Sequence, residues 1–189
     1  MVKAIFLAPP GAGKGTQASR LAEATGSMHI STGEVLREAV KQGTPAGVRA
    51  QEYMDAGKFA PDEVVLQIVR DSLQKSAETG WIFDGFPRNE KQAIALDEIL
   101  AELGQEKYCV IYFEVPDDIL VERIAGRYKE LGRKDDHPDA VPTRLQEYRK
   151  QTAPLIEFYT QQKALWAIDG NRPVDVIFGE IQTLTQSHA

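Results

Sequence analysis

The stretch Ala8-Pro9-Pro10-Gly11-Ala12-Gly13-Lys14-Gly15-Thr16 constrains this chain more than any other. It follows a short apolar run, Val2–Leu7, that reads as a buried strand, and it opens onto Lys14–Thr25, which reads as a helix. Glycine lets the backbone fold tightly enough for successive N–H groups to turn inward, and the helix start adds a partial positive charge. Strand, tight turn and helix together form a cradle for an anion. Gly11, Ala12, Gly13 and Gly15 supply its backbone, Lys14 reaches the outer oxygens of a polyphosphate, and Thr16 offers a hydroxyl to a metal ion or a phosphate oxygen. Two positions depart from the strict pattern of such loops: Ala8 stands at its first glycine, and Gly15 follows Lys14 where Ser or Thr is usual.

The rest of the chain alternates short apolar runs with amphipathic stretches. Met28–Ser31, Trp81–Asp84, Tyr108–Val115 and Leu165–Asp169 read as further strands. Helices are expected at Glu34–Lys41, Ala46–Ala56, Asp62–Ser76, Glu90–Leu103, Asp117–Arg127 (with Asp117 as N-cap), Thr143–Gln162 (bent at Pro154) and Val174–Thr185. Gly132–Pro142 reads as a loop. Five strands that are runs rather than alternations predict an α/β fold, a parallel sheet covered by helices on both faces. A chain of 189 residues fits one domain. Two segments fall outside the alternation, Ser31–Ala60 and residues 126–142, and are expected to be mobile flaps.

Charge and cysteine content exclude several classes. Twenty-eight acids against twenty-two bases give a net charge of −6, which argues against a dedicated nucleic-acid binder. The single cysteine, Cys109, allows neither an intramolecular disulfide nor a multi-cysteine zinc site, and suits a reduced, cytoplasmic compartment. The apolar run Ala4–Ala8 is too short for a signal-peptide core or a membrane span. Yet five of the eleven arginines lie between Arg123 and Arg149. An acidic chain with guanidinium groups gathered in one stretch suits a small polyanionic ligand, since the planar fork grips two phosphate oxygens at once.

These residues, in this order, resemble the nucleoside monophosphate kinases and the adenylate kinase family in particular. The resemblance is carried by Gly11-Ala12-Gly13-Lys14-Gly15-Thr16-Gln17, by Ser31-Thr32-Gly33-Glu34-Val35-Leu36-Arg37, by Asp84-Gly85-Phe86-Pro87-Arg88 with Gln92, by Arg123-Ile124-Ala125-Gly126-Arg127, by Arg133-Lys134-Asp135-Asp136 with Arg144-Leu145, and by Asp169-Gly170-Asn171-Arg172-Pro173. It covers nearly the whole chain, and in this family Gly15-Thr16 after the lysine is the expected form. It implies a fold like that of the P-loop nucleoside triphosphate hydrolases, with a helical AMP-binding flap and a short lid. The implied activity is transfer of the ATP γ-phosphoryl group to AMP by a monomer, with Mg²⁺ and no zinc.

Residue by residue, the resemblance implies ATP contacts from Gly11 to Thr16, from Arg127, from Arg172, and from Arg123 against the adenine or its phosphates. Arg88 and Arg37 are expected on the AMP phosphate. Thr32, the Gly85 backbone and Gln92 are expected on the adenine, and Lys58-Phe59-Ala60 along the AMP. Phe86 and Pro87 complete that wall through an expected cis bond. Arg133 and Arg144 are expected to bridge both sets of phosphates. Lys14, Arg88, Arg127, Arg133, Arg144 and Asp84 form the implied catalytic set, with Asp84 and Thr16 organising Mg²⁺ mainly through its waters and the phosphates. A UMP/CMP kinase is the nearest alternative: Thr32 and Gln92 speak for AMP, while Asn89 is a feature of the alternative. A P-loop ATPase is the other, and it would have no use for Asp84–Arg88. Arg149 reads as a solvated charge, His29, His137 and His188 receive no ligand role, and Trp81 and Trp166 are expected in the core.

Overall fold

In the computed structural model, which describes residues 1–187, the five expected strands are all present and all parallel. They are β1 (Lys3–Leu7), β2 (Met28–Ser31), β3 (Trp81–Asp84), β4 (Cys109–Glu114) and β5 (Leu165–Asp169), in the order β2-β3-β1-β4-β5. The helices are α1 (Lys14–Thr25), α2 (Thr32–Lys41), α3 (Pro45–Asp55), α4 (Asp62–Lys75), α5 (Glu90–Glu102), α6 (Asp117–Leu131), α7 (Val141–Glu147), α8 (Pro154–Gln161) and α9 (Val174–Ser187). Expected His188 lies outside the described residues.

Period-two alternation along buried strands divides the core in two. Ile5 and Leu7 of β1, with Trp81 and Phe83 of β3, pack on one face against Val69 and Leu73 of α4 and Leu96 and Leu100 of α5. Ala4 and Phe6, with Ile82, Ile111 and Phe113, pack on the other against Leu21 of α1, Leu120 of α6, and Ile177 and Ile181 of α9. Because β1 lies between β3 and β4, its carboxyl end is the reversal point of the sheet, where open α/β sheets take their ligands. The register Phe6↔Asp84 and Ser31↔Asp84 brings the ends of β1, β2 and β3 level there.

Several expectations are corrected. The stretch Thr143–Gln162 is not one bent helix: α7 passes into a π turn at Tyr148–Thr152, and α8 begins at Pro154. Proline is tolerated at a helix start, where its missing N–H has no partner to lose. Pro116, not Asp117, occupies the N-cap of α6, and Asp117 lies in the first turn, where its charge suits the helix dipole. That helix runs on to Leu131, ended by Gly132 in the left-handed conformation, and a short 3₁₀ turn, Lys134–Asp136, interrupts the expected loop. Trp81 is fully buried, but Trp166 sits on the edge strand β5 with 37% of its surface exposed.

Helices α2 and α3 leave the sheet after β2 and pack together through a very close approach at Gly47. A Cβ there would lie 2.1 Å from the Ala39 carbonyl oxygen. Replacing Gly47 by Ala is expected to destabilise the protein by about 1–3 kcal/mol, since backbone atoms must part to admit a methyl group. Urea unfolding measures the loss, and hydrogen exchange should quicken first in residues 32–55.

Candidate functional site

The loop between β1 and α1 is shaped by its glycines. Gly11 and Gly13 have φ of 85° and 87°, the left-handed region that glycine adopts freely. A Cβ on Gly11 would also stand 2.8 Å from the Leu120 carbonyl oxygen, so α6 presses directly on the loop. Gly13 is the N-cap of α1 and makes no side-chain cap hydrogen bond, which leaves the first-turn N–H groups available to an anion. Ala8 is buried and is absent from the positive-φ positions, so the missing first glycine imposes no strain.

Around this loop the chain folds a cleft of about 340 Å³. Lys14, Arg37, Arg88, Arg127, Arg133 and Arg144 all line it, together with Asp84, Glu34 and the loop from Gly11 to Thr16. These cations come from α1, α2, the segment after β3, α6, the 3₁₀ turn's leading residue and α7, so only the tertiary fold unites them. The expected cis bond is present at Phe86-Pro87.

Such a concentration of like charge is held by a few carboxylates. Asp136, almost fully buried, accepts from Arg127 Nε at 2.6 Å and Nη2 at 2.7 Å, and from Arg144 Nη1 at 2.5 Å. Asp135 pairs with Arg144 at 2.9 Å and with Arg37 at 3.7 Å. Arg133 lies 3.9 Å from Glu34, and Lys134 reaches Asp55 at 3.0 Å. The segment carrying Arg133 to Asp136 is therefore tied by charge to α2 and α3. Asp84 stands 3.8 Å from Lys14 and 3.6 Å from Nε2 of His29.

The charges move the ionisation equilibria. Burial, followed by the fields of Arg144, Arg88 and Arg127, lowers the Lys14 ammonium to about 8, with Asp84 opposing. Burial alone would raise Asp84, but Lys14, the neighbouring His29 imidazole and Arg88 outweigh it and hold the carboxyl at about 2. Burial and then Arg144 bring Arg88 down to about 10, which leaves it fully charged at neutral pH. For Arg127 the order reverses: burial disfavours the charge, but its bond to Asp136 raises the pKa.

Other expected site residues have partners of their own. Arg88 Nε donates to the Gly85 carbonyl at 2.7 Å, and its guanidinium lies 4.8 Å from the centre of the Phe59 ring. Thr32 Oγ1 donates to the same Gly85 carbonyl at 2.9 Å. Lys58, Phe59 and Ala60 border a small hollow shared with Arg37 and Arg88. Gln92 is fully buried, its Oε1 accepting the Arg88 backbone N–H and its Nε2 donating to Asp62. Arg123 donates to the Gly170 carbonyl and to Asn171, which sets it against the loop after β5. Arg172 pairs with Glu180 and Asp169 on the same side. Arg149 pairs with Asp117 in solvent.

At the level of sequence His29 and Asp62 have no role at the site, and Asp135 and Asp136 enter only as part of the motif around Arg133. Asp135 and Asp136 sit beside Arg133 in the chain and were the most legible of the four. Nothing local marks His29, which reaches Asp84 only because β2 and β3 are in register.

The chain matches the family model described as "Adenylate kinase" over residues 6–164. It is 50% identical over 187 residues to an adenylate kinase of a Synechococcus strain, covering 98% of this chain and 97% of that one. It is 46% identical over 183 residues to adenylate kinase 1 of Synechocystis, with 96% of each chain covered. An adenylate kinase of Stenotrophomonas maltophilia shares 45% over 181 residues, covering 95% and 97%.

The rate with a polyphosphate substrate is expected to fall above about pH 8, where Lys14 loses its proton. Lowering a lysine's pKa makes its charge vanish on the alkaline side, so the loss appears as pH rises. A pH profile of kcat/KM for ATP reads the free protein, and a profile flat to about pH 9.5 would reject this role for Lys14.

Proposed function

The chain belongs to the adenylate kinase family, and we propose from its cleft how each of its groups serves the reaction. It transfers the γ-phosphoryl group of ATP to AMP, giving two ADP. The observation that supports the division of labour is the common cleft: an ammonium and five guanidinium groups face one hollow at the carboxyl ends of the strands.

The chemical problem is to bring two polyanions together. Phosphoryl transfer needs alignment and charge neutralisation more than covalent help from the protein. Lys14 and the N–H groups of the Gly11–Thr16 loop hold the ATP phosphates from the α1 side. Arg88 and Arg37, which line the same cleft, take the AMP phosphate. Arg127, Arg133 and Arg144 span the gap and stabilise the transferring group as its negative charge spreads over the equatorial oxygens. Asp136 holds Arg127 and Arg144 in place beforehand, Asp135 also pairs with Arg144, and Glu34 stands by Arg133, so little reorganisation remains when phosphates arrive. The acceptor is a phosphate oxygen already ionised at neutral pH, so no general base is required.

The residues present also fit Mg²⁺. Among the described residues no group of three or more His, Cys, Asp or Glu forms a metal cage. Mg²⁺ rarely needs one, since it keeps several waters and binds through one or two carboxylates and the substrate phosphates. Asp84 supplies such a carboxylate, ionised at any working pH, and a Cβ on Gly15 would stand only 3.2 Å from its Oδ2. Asp84, through water, and Thr16 would hold the ion, which contributes neutralisation of phosphate charge.

Arg123 and Arg172 frame the ATP adenine beside the Asp169–Pro173 loop. Thr32, Gly85 and Gln92 face the AMP base, with Lys58, Phe59, Ala60, Phe86 and Pro87 around it. Residues 31–60 and 126–142 act as flaps that close over the two nucleotides and exclude water, which would otherwise accept the phosphoryl group. The enzyme acts as a monomer, as the family resemblance implies. Among the described residues no helix is long and apolar enough to cross a membrane, and a reduced cytoplasm suits the one buried thiol, Cys109.

Replacing Arg88 by Ala is expected to lower kcat/KM for AMP by about a hundredfold or more, through loss of a two-pronged charged contact, and to change ATP binding little. Titration calorimetry with each nucleotide and a coupled ADP assay test this. Equal losses for both nucleotides would show that Arg88 does not define the acceptor site, and a preference for UMP or CMP in the unmodified protein would reassign the acceptor.

A further inference from the structure

Asp62 begins α4, immediately after the Lys58–Pro61 segment, and its side chain reaches across to the start of α5. Its Oδ1 accepts from Gln92 Nε2 at 2.6 Å and from Asn89 Nδ2 at 3.0 Å. Asn89 Oδ1 in turn caps α5 by accepting the Gln92 backbone N–H at 2.9 Å. Gln92 Oε1 accepts the Arg88 backbone N–H at 2.8 Å.

This network decides which way the Gln92 amide faces. A carboxylate accepts hydrogen bonds and a backbone N–H only donates. Turning the amide over would set Gln92 Oε1 against Asp62 and Nε2 against the Arg88 N–H, two repulsive contacts at once. The Gln92 nitrogen carries two protons and gives one to Asp62; its oxygen has two lone pairs and gives one to Arg88. One N–H and one lone pair remain, in a fixed order.

We propose that Asp62 is a specificity-determining positioning residue, which locks the Gln92 amide so that it accepts a 6-aminopurine monophosphate and rejects a 6-oxopurine one. The inference rests on the reading that Gln92 faces the acceptor base. A 6-aminopurine presents an exocyclic N–H donor beside a ring-nitrogen acceptor, which meet the remaining lone pair and N–H of the locked amide. A 6-oxopurine presents an oxygen acceptor beside a ring N–H donor, the reverse order. A glutamine free to turn over would read both, so the discrimination lies in the lock. A site whose polar groups are already committed rejects a mismatched base strongly, because the mismatch leaves buried groups unpaired. The same network gives Asn89 its place: it caps α5 and shares the carboxylate, and it need not touch a base.

The test compares AMP with IMP, which differs from it in replacing the amino group by oxygen, as acceptors for the full-length protein. Initial rates with ATP are measured for the unmodified chain, Asp62→Asn, Asp62→Ala and Gln92→Ala. Asp62→Asn keeps the size of the side chain but can donate as well as accept, so the amide can be reversed at less cost. The ratio of kcat/KM for AMP to that for IMP is expected to fall by about tenfold or more, read mainly in the KM values of the two acceptors, while KM for ATP stays unchanged. A purely structural defect would slow both acceptors alike and leave the ratio as it was, and Asp62→Asn serves if Asp62→Ala folds poorly. If Gln92→Ala relaxes the ratio and both Asp62 variants retain it, the lock is overturned while the acceptor site stands. If Gln92→Ala also leaves the ratio unchanged, the base is read elsewhere, and both the site reading and the lock are overturned.

Discussion

Six cations face one partly buried cleft, and their mutual repulsion is the constraint to which the structure answers. Like charges brought together away from bulk water repel far more strongly than at a surface. The strain is visible in Lys14 and Arg88, whose charged forms are disfavoured by burial and by neighbouring cations. Asp84, Asp135 and Asp136 are the counterweight. Asp136 grips two arginines with both carboxylate oxygens, and Asp84 feels the fields of both Lys14 and Arg88. A cleft built this way is complementary to phosphate before any phosphate arrives.

The sheet is what makes that concentration affordable. A parallel sheet buried on both faces ends all its strands at one edge, and the loops leaving that edge converge. The glycine loop, Asp84 and the Ser31–Thr32 turn are brought together by strand register alone. Arg37, Arg127 and Arg144 arrive on α2, α6 and α7, and ion pairs join the Arg133–Asp135 segment to α2 and α3. Where such a pair is exposed, as between Lys134 and Asp55, it is weak and replaceable.

Much of this was legible along the chain. The strand–glycine–helix signal located the anion loop because its requirements are local: positive φ at Gly11 and Gly13, and free amides at a helix start. Strand limits were readable because buried runs end sharply at Pro, Gly and Asp. The misses were of a different kind. Pro154 begins a new helix after a π turn, whose Thr152 Oγ1 donates to the Arg88 carbonyl. Trp166 was expected inside, but an edge strand leaves one side of its ring in solvent. Asn89, a feature of the UMP/CMP kinase alternative, is the N-cap of α5.

By itself, then, the order of residues determined the class of fold, the glycine loop between β1 and α1 and the list of cations, since each depends on spacing within a few turns of chain. Only the tertiary structure decided which carboxylate answers which cation, and which end of Gln92 faces Asp62. Those pairings join positions tens of residues apart, such as Asp62 with Gln92 and His29 with Asp84. Electrostatic and hydrogen-bond partners are chosen by distance in space, and no periodicity along a chain encodes that distance.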